Sequence, residues 1–286
     1  MSTSHVVKTA VLLGGLLLVP AIASAAEASF DRTLSVGGNP NVYVSTGSGY
    51  IHISPGSDSQ IHIVGHVKSN RNWFGGSSDD QVKQIAANPP IEQSGNEVHI
   101  GKTDGDWQHN VSIDYDITMP KGSILNAGSG SGDLRINGIA GGLKASTGSG
   151  SIEAGGISGA VALDTGSGDI HADLVNSSST KVQTGSGTIR VTGVKGGLKA
   201  GTGSGDIEIA GQPTSDWKLE TGSGSVTLTV GSAHFTLDAS TGSGTVHSDP
   251  PISTHGSLEK HHVMGDINGG GPTVRVETGS GDIRIK

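Results

Sequence analysis

The chain has 286 residues, 48 of them glycine, no cysteine, and a formal net charge of −8. The missing cysteines exclude disulfides, thiol catalysis, Cys-based zinc sites and a lipobox-type lipid anchor, and the acidic balance makes nucleic acid and anionic membrane surfaces poor partners. Glycine at more than twice its usual share, with aromatics at 3%, excludes a thick globular core and leaves either a thin core repeated along the chain or flexible coil.

Residues 1–25 read as a secretory signal peptide: Lys8 near the start, an apolar run from Val11 to Val19, then Pro20 and the small-residue site Ala23-Ser24-Ala25. The run is too short to span a bilayer, and no second run of spanning length occurs. An exported protein without an integral span is expected, in the periplasm, at the cell surface or secreted. Removing this segment takes away Lys8 and no acid, which makes the remainder one unit more negative.

Residues 26–120 predict a β-rich N-terminal cap that shields one end of the repeat region. Val42 and Val44 precede an early TGSG at 46, Ile51/Ile53 and Ile61/Ile63 flank the turn Pro55-Gly56-Ser57-Asp58, and 97–100 and 111–117 alternate up to Pro120. His52 and His62 would pair directly across a hairpin closed by 55–59. With His66 or His99 nearby they are candidate ligands for a transition metal, against a reading as solvent-facing strand histidines. Trp73 and Phe74, in SNRNWFGG, and Trp107, in DGDWQHN, occupy turn-rich insertions. They are candidates for contact with a sugar ring or a protein partner, or for folding back over the end of the structure.

From 121 to 286 one phrase recurs. Taking SGSGDL at 129 as an altered first copy, the motif starts at 129, 147, 165, 184, 202, 221, 241 and 278, with steps of 18 to 20 residues and a double step at the end, where Gly265-Asp266-Ile267 marks a degenerate copy. Such a period indicates a solenoid. Counting the motif Thr as zero, apolar residues fall at −4 and −2 (Leu198/Ala200, Trp217/Leu219) and at +5 and +7 (Ile207/Ile209, Val226/Leu228), so a period-2 strand flanks each side of the Gly-Ser-Gly. A third apolar residue stands at +10: Ile139, Ile157, Val175, Val194. The expected fold is an all-β, single-stranded parallel β-helix with coils of 18–20 residues. Gly203-Ser204-Gly205-Asp206 is its structural corner, with positive φ expected at the glycines. Motif threonines are expected to form hydroxyl ladders from coil to coil. The stack is expected to end at Ile283-Arg284-Ile285-Lys286.

On these residues, the TGSGDI copies preceded by an alternating region ending in ITMP at 117–120, the chain resembles a bacterial "putative adhesin" family of exported β-helical repeat domains of unknown function. The resemblance covers roughly 40–286 and implies a β-helical fold and surface attachment. It carries no catalytic or binding residues onto this sequence.

Competing chemistry has weaker support. Calcium β-rolls need Gly-Gly-x-Gly-x-Asp every nine residues, whereas here one Gly-Ser-Gly occurs per coil and position +4 reads Asp133, Ser151, Asp169, Thr188, Asp206. That alternation spaces the carboxylates two coils apart, which suits turn capping better than a cation ladder. A polysaccharide-processing β-helix would cluster its carboxylates on one face, and neither G-x-S-x-G nor a phosphate loop occurs. No cofactor and no catalytic residue is expected. The functional expectation is a non-enzymatic adhesin or surface-display scaffold contacting a surface glycan or envelope protein, with a periplasmic envelope-associated module as the alternative.

Overall fold

The computed structural model describes residues 27–69, 78–101, 111–254 and 260–286. The signal-peptide segment and Trp73, Phe74 and Trp107 lie outside these residues. Among the described residues the protein is all-β except for one helix, Ser78–Ala87, and its 23 strands join in one sheet.

The period-2 pattern builds the coils. In Leu143–Thr147, Leu143, Ala145 and Thr147 face inward while Lys144 and Ser146 face out. The corner after Thr147 leads into a second strand, from Ile152, with the same alternation. Strands before the corners form one parallel ladder, in which Leu143 lies between Leu125 and Val161. Strands after the corners form another, in which Ile207 lies between Ile189 and Val226. The narrow space between the ladders is filled by stacked apolar residues, among them Trp217, 1% exposed, whose indole Nε1 donates to the Gly196 carbonyl. Ile139, Ile157 and Val194 are buried on the return side as expected. In the coil between them Leu174 takes that place and Val175 is 62% exposed, because the pairing shifts register where Ile157 meets Leu174.

The order of coils in space departs from their order in the chain at both ends. The 41–55 coil, expected to be part of the 26–120 cap, stacks directly on the 124–137 coil, with Val42 against Leu125 and Ile51 against Leu134. The later strands Glu97–Ile100 and Val111–Met119 lie outside it, Val42 facing Val98 and Ile51 facing Tyr115. Antiparallel strands Gln60–Ser69 and Glu27–Ser35 complete that end of one ladder and Ile91–Ser94 the other. The helix, which the period-2 reading did not anticipate, packs Val82 and Ile85 onto the outer strands.

The C-terminal end mirrors this. The expectation that Ile283–Lys286 ends the stack is corrected: strand Thr273–Thr278 lies between Trp217–Thr221 and Phe235–Thr241, and Ile283 lies between Val226 and Val246. The last coil of the chain is therefore second from the end in space. His262–Ile267 pairs antiparallel on the outer edge of Phe235–Thr241, so Asp266 belongs to a reversed strand and not to a degenerate coil. Asn268, Gly269 and Gly270, all with positive φ, then turn the chain back inward.

The corners work differently from the expectation. Gly203 and Gly205 do not have positive φ. Their requirement is close approach: a Cβ on Gly205 would lie 2.0 Å from the Gly187 carbonyl oxygen of the neighbouring coil, and one on Gly203 2.5 Å from that of Gly185. The threonines bond carbonyls and not one another. Thr202 Oγ1 donates to the Gly187 carbonyl at 3.0 Å, Thr221 to Gly205 at 2.9 Å, Thr278 to Gly224 and Thr241 to Gly281 at 2.8 Å. The hydroxyls of Thr147, Thr165 and Thr184 also accept the amide of the second glycine of their own corner, as Thr184 does from Gly187 at 3.1 Å.

Beside them, each corner Asp accepts the amide of the neutral residue in the next coil: Asp133 from Ser151, Asp169 from Thr188, Asp206 from Ser225 and Asp282 from Thr245, at 2.7–2.9 Å. In chain order the alternation fails after Ser225, where neutral Thr245 follows. In spatial order it is unbroken from end to end: Asp114, Tyr50, Asp133, Ser151, Asp169, Thr188, Asp206, Ser225, Asp282, Thr245. Each carboxylate thereby has an amide donor and is kept two strand spacings from the next carboxylate.

Gly205→Ala should destabilise by about 3 kcal/mol or more, while Gly201→Ala, whose Cβ would meet nothing closer than 3.8 Å, should stay within about 0.5 kcal/mol; denaturant titration decides, and equal midpoints would refute the close-approach account. The cysteine pair Thr227→Cys/Arg284→Cys, register partners on adjacent strands, should form a disulfide on oxidation. Thr227→Cys/His247→Cys, with Arg284 between them, should not, since two strand spacings exceed about 7 Å; the reverse result on a non-reducing gel would restore chain order. The amide and hydroxyl of Thr245 hold the Asp282 carboxyl below its usual range. A depressed carboxylate stabilises above its unfolded pKa of about 3.9 and loses that contribution as pH falls through the folded value. The melting temperature should therefore drop on acidification below about pH 4, and less steeply in Asp282→Asn; identical pH profiles would remove Asp282 from the account.

Candidate functional site

The stack presents two outward faces, one per ladder. On the second ladder, register places His52 beside Asp116 and Arg135, and continues through Glu153, His171, Arg190 and Glu208. Opposite charges meet along this row. Arg135 Nε donates to Glu153 at 2.7 Å and Arg190 Nε to Glu208 at 2.8 Å, and these hydrogen bonds hold both glutamates below the ordinary carboxylate range. Two of the row's arginines are neutralised in this way, while Arg284, further along it, has no ion-pair partner among the described residues.

His52 and His62 do not form the expected hairpin pair. Strand Val111–Met119 lies between theirs, pairing parallel with Ile51–Pro55 and antiparallel with Gln60–Ser69. His62 Nε2 lies 2.9 Å from Asp31 Oδ1, and His52 Nδ1 3.1 Å from Asp116 Oδ1. The 55–59 turn thus carries the chain over to the far side of another strand. His66 approaches Asp116 at 3.8 Å, while His99 stacks on Tyr43 at 4.6 Å in the other ladder. Among the described residues no three His, Asp or Glu side chains converge as a metal site requires.

Tyr50 donates to Asp116 at 3.0 Å, and partial burial together with that bond pushes its phenol up to about 12. Ser54 Oγ lies 3.3 Å from His52 Nε2, which gives Ser54, His52 and Asp116 the order of a nucleophilic relay. Strand Ile51–Pro55 is paired along its whole length on one edge and over Ile51–Ile53 on the other, and the Gly56 amide beyond it donates to the Met119 carbonyl, which commits these amides to ladders.

The first ladder's face differs. Residue three before each motif Thr points outward, and register aligns Tyr43, Asn126, Lys144, Ala162, Lys181, Lys199, Lys218, Arg275 and Asp238 in one row. Lys218 is paired with Glu220 at 2.6 Å and Arg275 with Asp238 at 2.8 Å. Lys144, Lys181 and Lys199 have no ion-pair partner among the described residues. Neighbouring ammonium groups at strand spacing repel by roughly 0.9 kcal/mol in water. Asp238, though burial opposes its ionisation, is held low by His262 and Arg275.

This row escaped the sequence reading, which found no basic cluster because its lysines stand one per coil. Position −3 of the motif was its legible signal. A groove of about 510 Å³ runs along this face from Tyr43 and the 52% exposed Ile124, past Asn126, Lys144 and Ala162, to Lys181. A second cavity, of about 320 Å³, lies beside the helix between Ile85, Pro89 and Tyr115. The buried Tyr115 hydroxyl has no hydrogen-bond partner among the described residues, and burial raises its pKa. The corner residues Gly203, Ser204, Gly205 and Asp206 lie between the two faces. Trp73, Phe74 and Trp107, as candidate contacts, fall outside the described residues.

No helix among the described residues is long and apolar enough to cross a membrane. Among curated proteins none matches the chain. Of solved structures, a Parabacteroides distasonis ATCC 8503 protein named "putative lipid binding protein" is similar with TM-score 0.52 and 15% identity, over 90% of this chain and 96% of that one. A "putative adhesin" from the same organism gives TM-score 0.45 at 11% identity, over 91% and 97% of the two chains. One from Bacteroides fragilis NCTC 9343 gives 0.41 at 13%, also over 91% and 97%. At such identities the likeness concerns fold alone, and only the first of the three is close enough to bear on it. The Toastrack DUF4097 family model matches residues 41–286, from the first TGSG coil through the last. The chain belongs to the Toastrack DUF4097 family, a domain of unknown function.

Proposed function

We propose that this protein is an exported, non-enzymatic parallel β-helix, built from coils of roughly 18–20 residues with a β-rich N-terminal cap, that acts as an adhesin or surface-display scaffold. The observation that carries the reading is the pair of long outer faces, on which each coil contributes one side chain to every row at strand spacing. Such faces suit extended contact with a polymer or a neighbouring surface better than enclosure of a small substrate. The leader-like segment at 1–25 and the family membership support the same reading. Catalysis is assigned no part in it: on the second face the carboxylates are spent in ion pairs, and the amides beside the Ser54 relay are committed to ladders.

Protease shaving of intact cells tests the assignment, with a periplasmic protein as protected control and an antibody against 70–110 as readout. Loss of the epitope while the control survives is the expected result. Protection of the epitope, with the protein absent from the medium, would overturn surface attachment in favour of a periplasmic, envelope-associated module.

A further inference from the structure

We propose that the first ladder's face is a binding site for a linear acidic polysaccharide, lying across the strands with its carboxylates on Lys144, Lys181 and Lys199 and one sugar ring in the groove over Ala162. Three features of the molecule point there. The first is charge. In a chain of net charge −8, three lysines of this row have no ion-pair partner among the described residues, whereas on the opposite face Arg135 and Arg190 are each bonded to a glutamate. Of the acids in and beside the row, Glu220 is occupied by Lys218 and Asp238 and Glu277 by Arg275, and Asp164 lies in the adjoining row, two residues beyond Ala162. The second is spacing. One cation per coil at strand separation, with Lys181, Lys199, Lys218 and Arg275 on successive coils, matches a polymer carrying one carboxylate on each unit.

The third is the groove, which continues the same row. Its floor at Ala162 lacks a long side chain, so Lys144 and Lys181 stand on either rim. Further along the groove, two and three strand spacings from Ala162, the exposed Ile124 and the ring of Tyr43, held flat against His99 with an interplanar angle of 6°, offer apolar surface to the C–H face of another sugar of the same polymer, and Asn126 offers both a donor and an acceptor to its hydroxyls. A phosphate surface would use the lysines but leave this wall without a role. The inference gives the attachment reading a ligand class and rests on it for biological meaning. Binding by the purified chain is decided independently of the compartment in which the chain works.

The test is calorimetric titration of the full chain with polygalacturonate, with neutral dextran and phosphatidylglycerol vesicles as alternative ligands. Expected is salt-sensitive binding of polygalacturonate alone. Lys181→Glu/Lys199→Glu should weaken it about tenfold or more, and the control Arg284→Glu/Lys286→Glu, an equal change of charge on the opposite ladder, by less than about twofold. Ala162→Tyr, which fills the groove without altering charge, should also weaken it. Circular-dichroism melts confirm that each variant folds. Absence of polygalacturonate binding, equal losses in both charge pairs, or binding of vesicles alone would each overturn the proposal. The last would assign the lysines to lipid headgroups.

Discussion

Everything in this molecule depends on the approach of one corner's backbone to the next. A glycine carbonyl occupies the place where the next corner's Cβ would be, and a threonine hydroxyl bridges the two coils by donating to a carbonyl of the same series. Any side chain at Gly187 or Gly205 would pry the coils apart and lengthen every ladder hydrogen bond on either side. The glycines are thus a condition of stacking, and stacking is what gives a chain so poor in aromatics a continuous core. The aspartates complete the corner by supplying an acceptor where an amide of the next coil would otherwise face water.

Much of this was legible in the linear sequence. The inward residues Leu198, Ala200, Ile207 and Ile209, the corner positions and the parallel stacking all come from a local period, and local periods are what a sequence states directly. The order of the coils was not legible. A TGSG corner accepts any other TGSG corner as neighbour, so nothing in residues 235–248 announces that 273–285 will come between them and 217–229. One trace existed: the acid–neutral alternation, broken after Ser225 in chain order, is whole only when Asp282 stands between Ser225 and Thr245. The His52–His62 expectation failed for a related reason, since a short loop between two strands does not oblige them to pair. The single helix was missed because its two buried residues, Val82 and Ile85, are too few to impose a period on their surroundings.

The candidate face was readable only in part. Lysines separated by a full coil do not look like a patch, and the net negative charge argued against seeking one. Once the coils are in register, the −3 column becomes a line of cations on one side, while the +6 column on the other carries the Arg135–Glu153 and Arg190–Glu208 pairs. The same repeat that hides a surface from a linear reading makes it regular in three dimensions. The groove at Ala162 is the one interruption of the cationic column between Lys144 and Lys218.

The interleaved ends have a consequence for how the chain acquires its structure. A nascent chain emerges from its N-terminus, and a simple solenoid could add coils in the order of their arrival. Here the 235–248 coil has no completed ladder to join until 273–285 has been made, because its inner neighbour is built from those residues. Until then the outer edge of 217–229 stays open, with the hazard that open edges carry. Of these two coils, the one synthesised later is the one set further in.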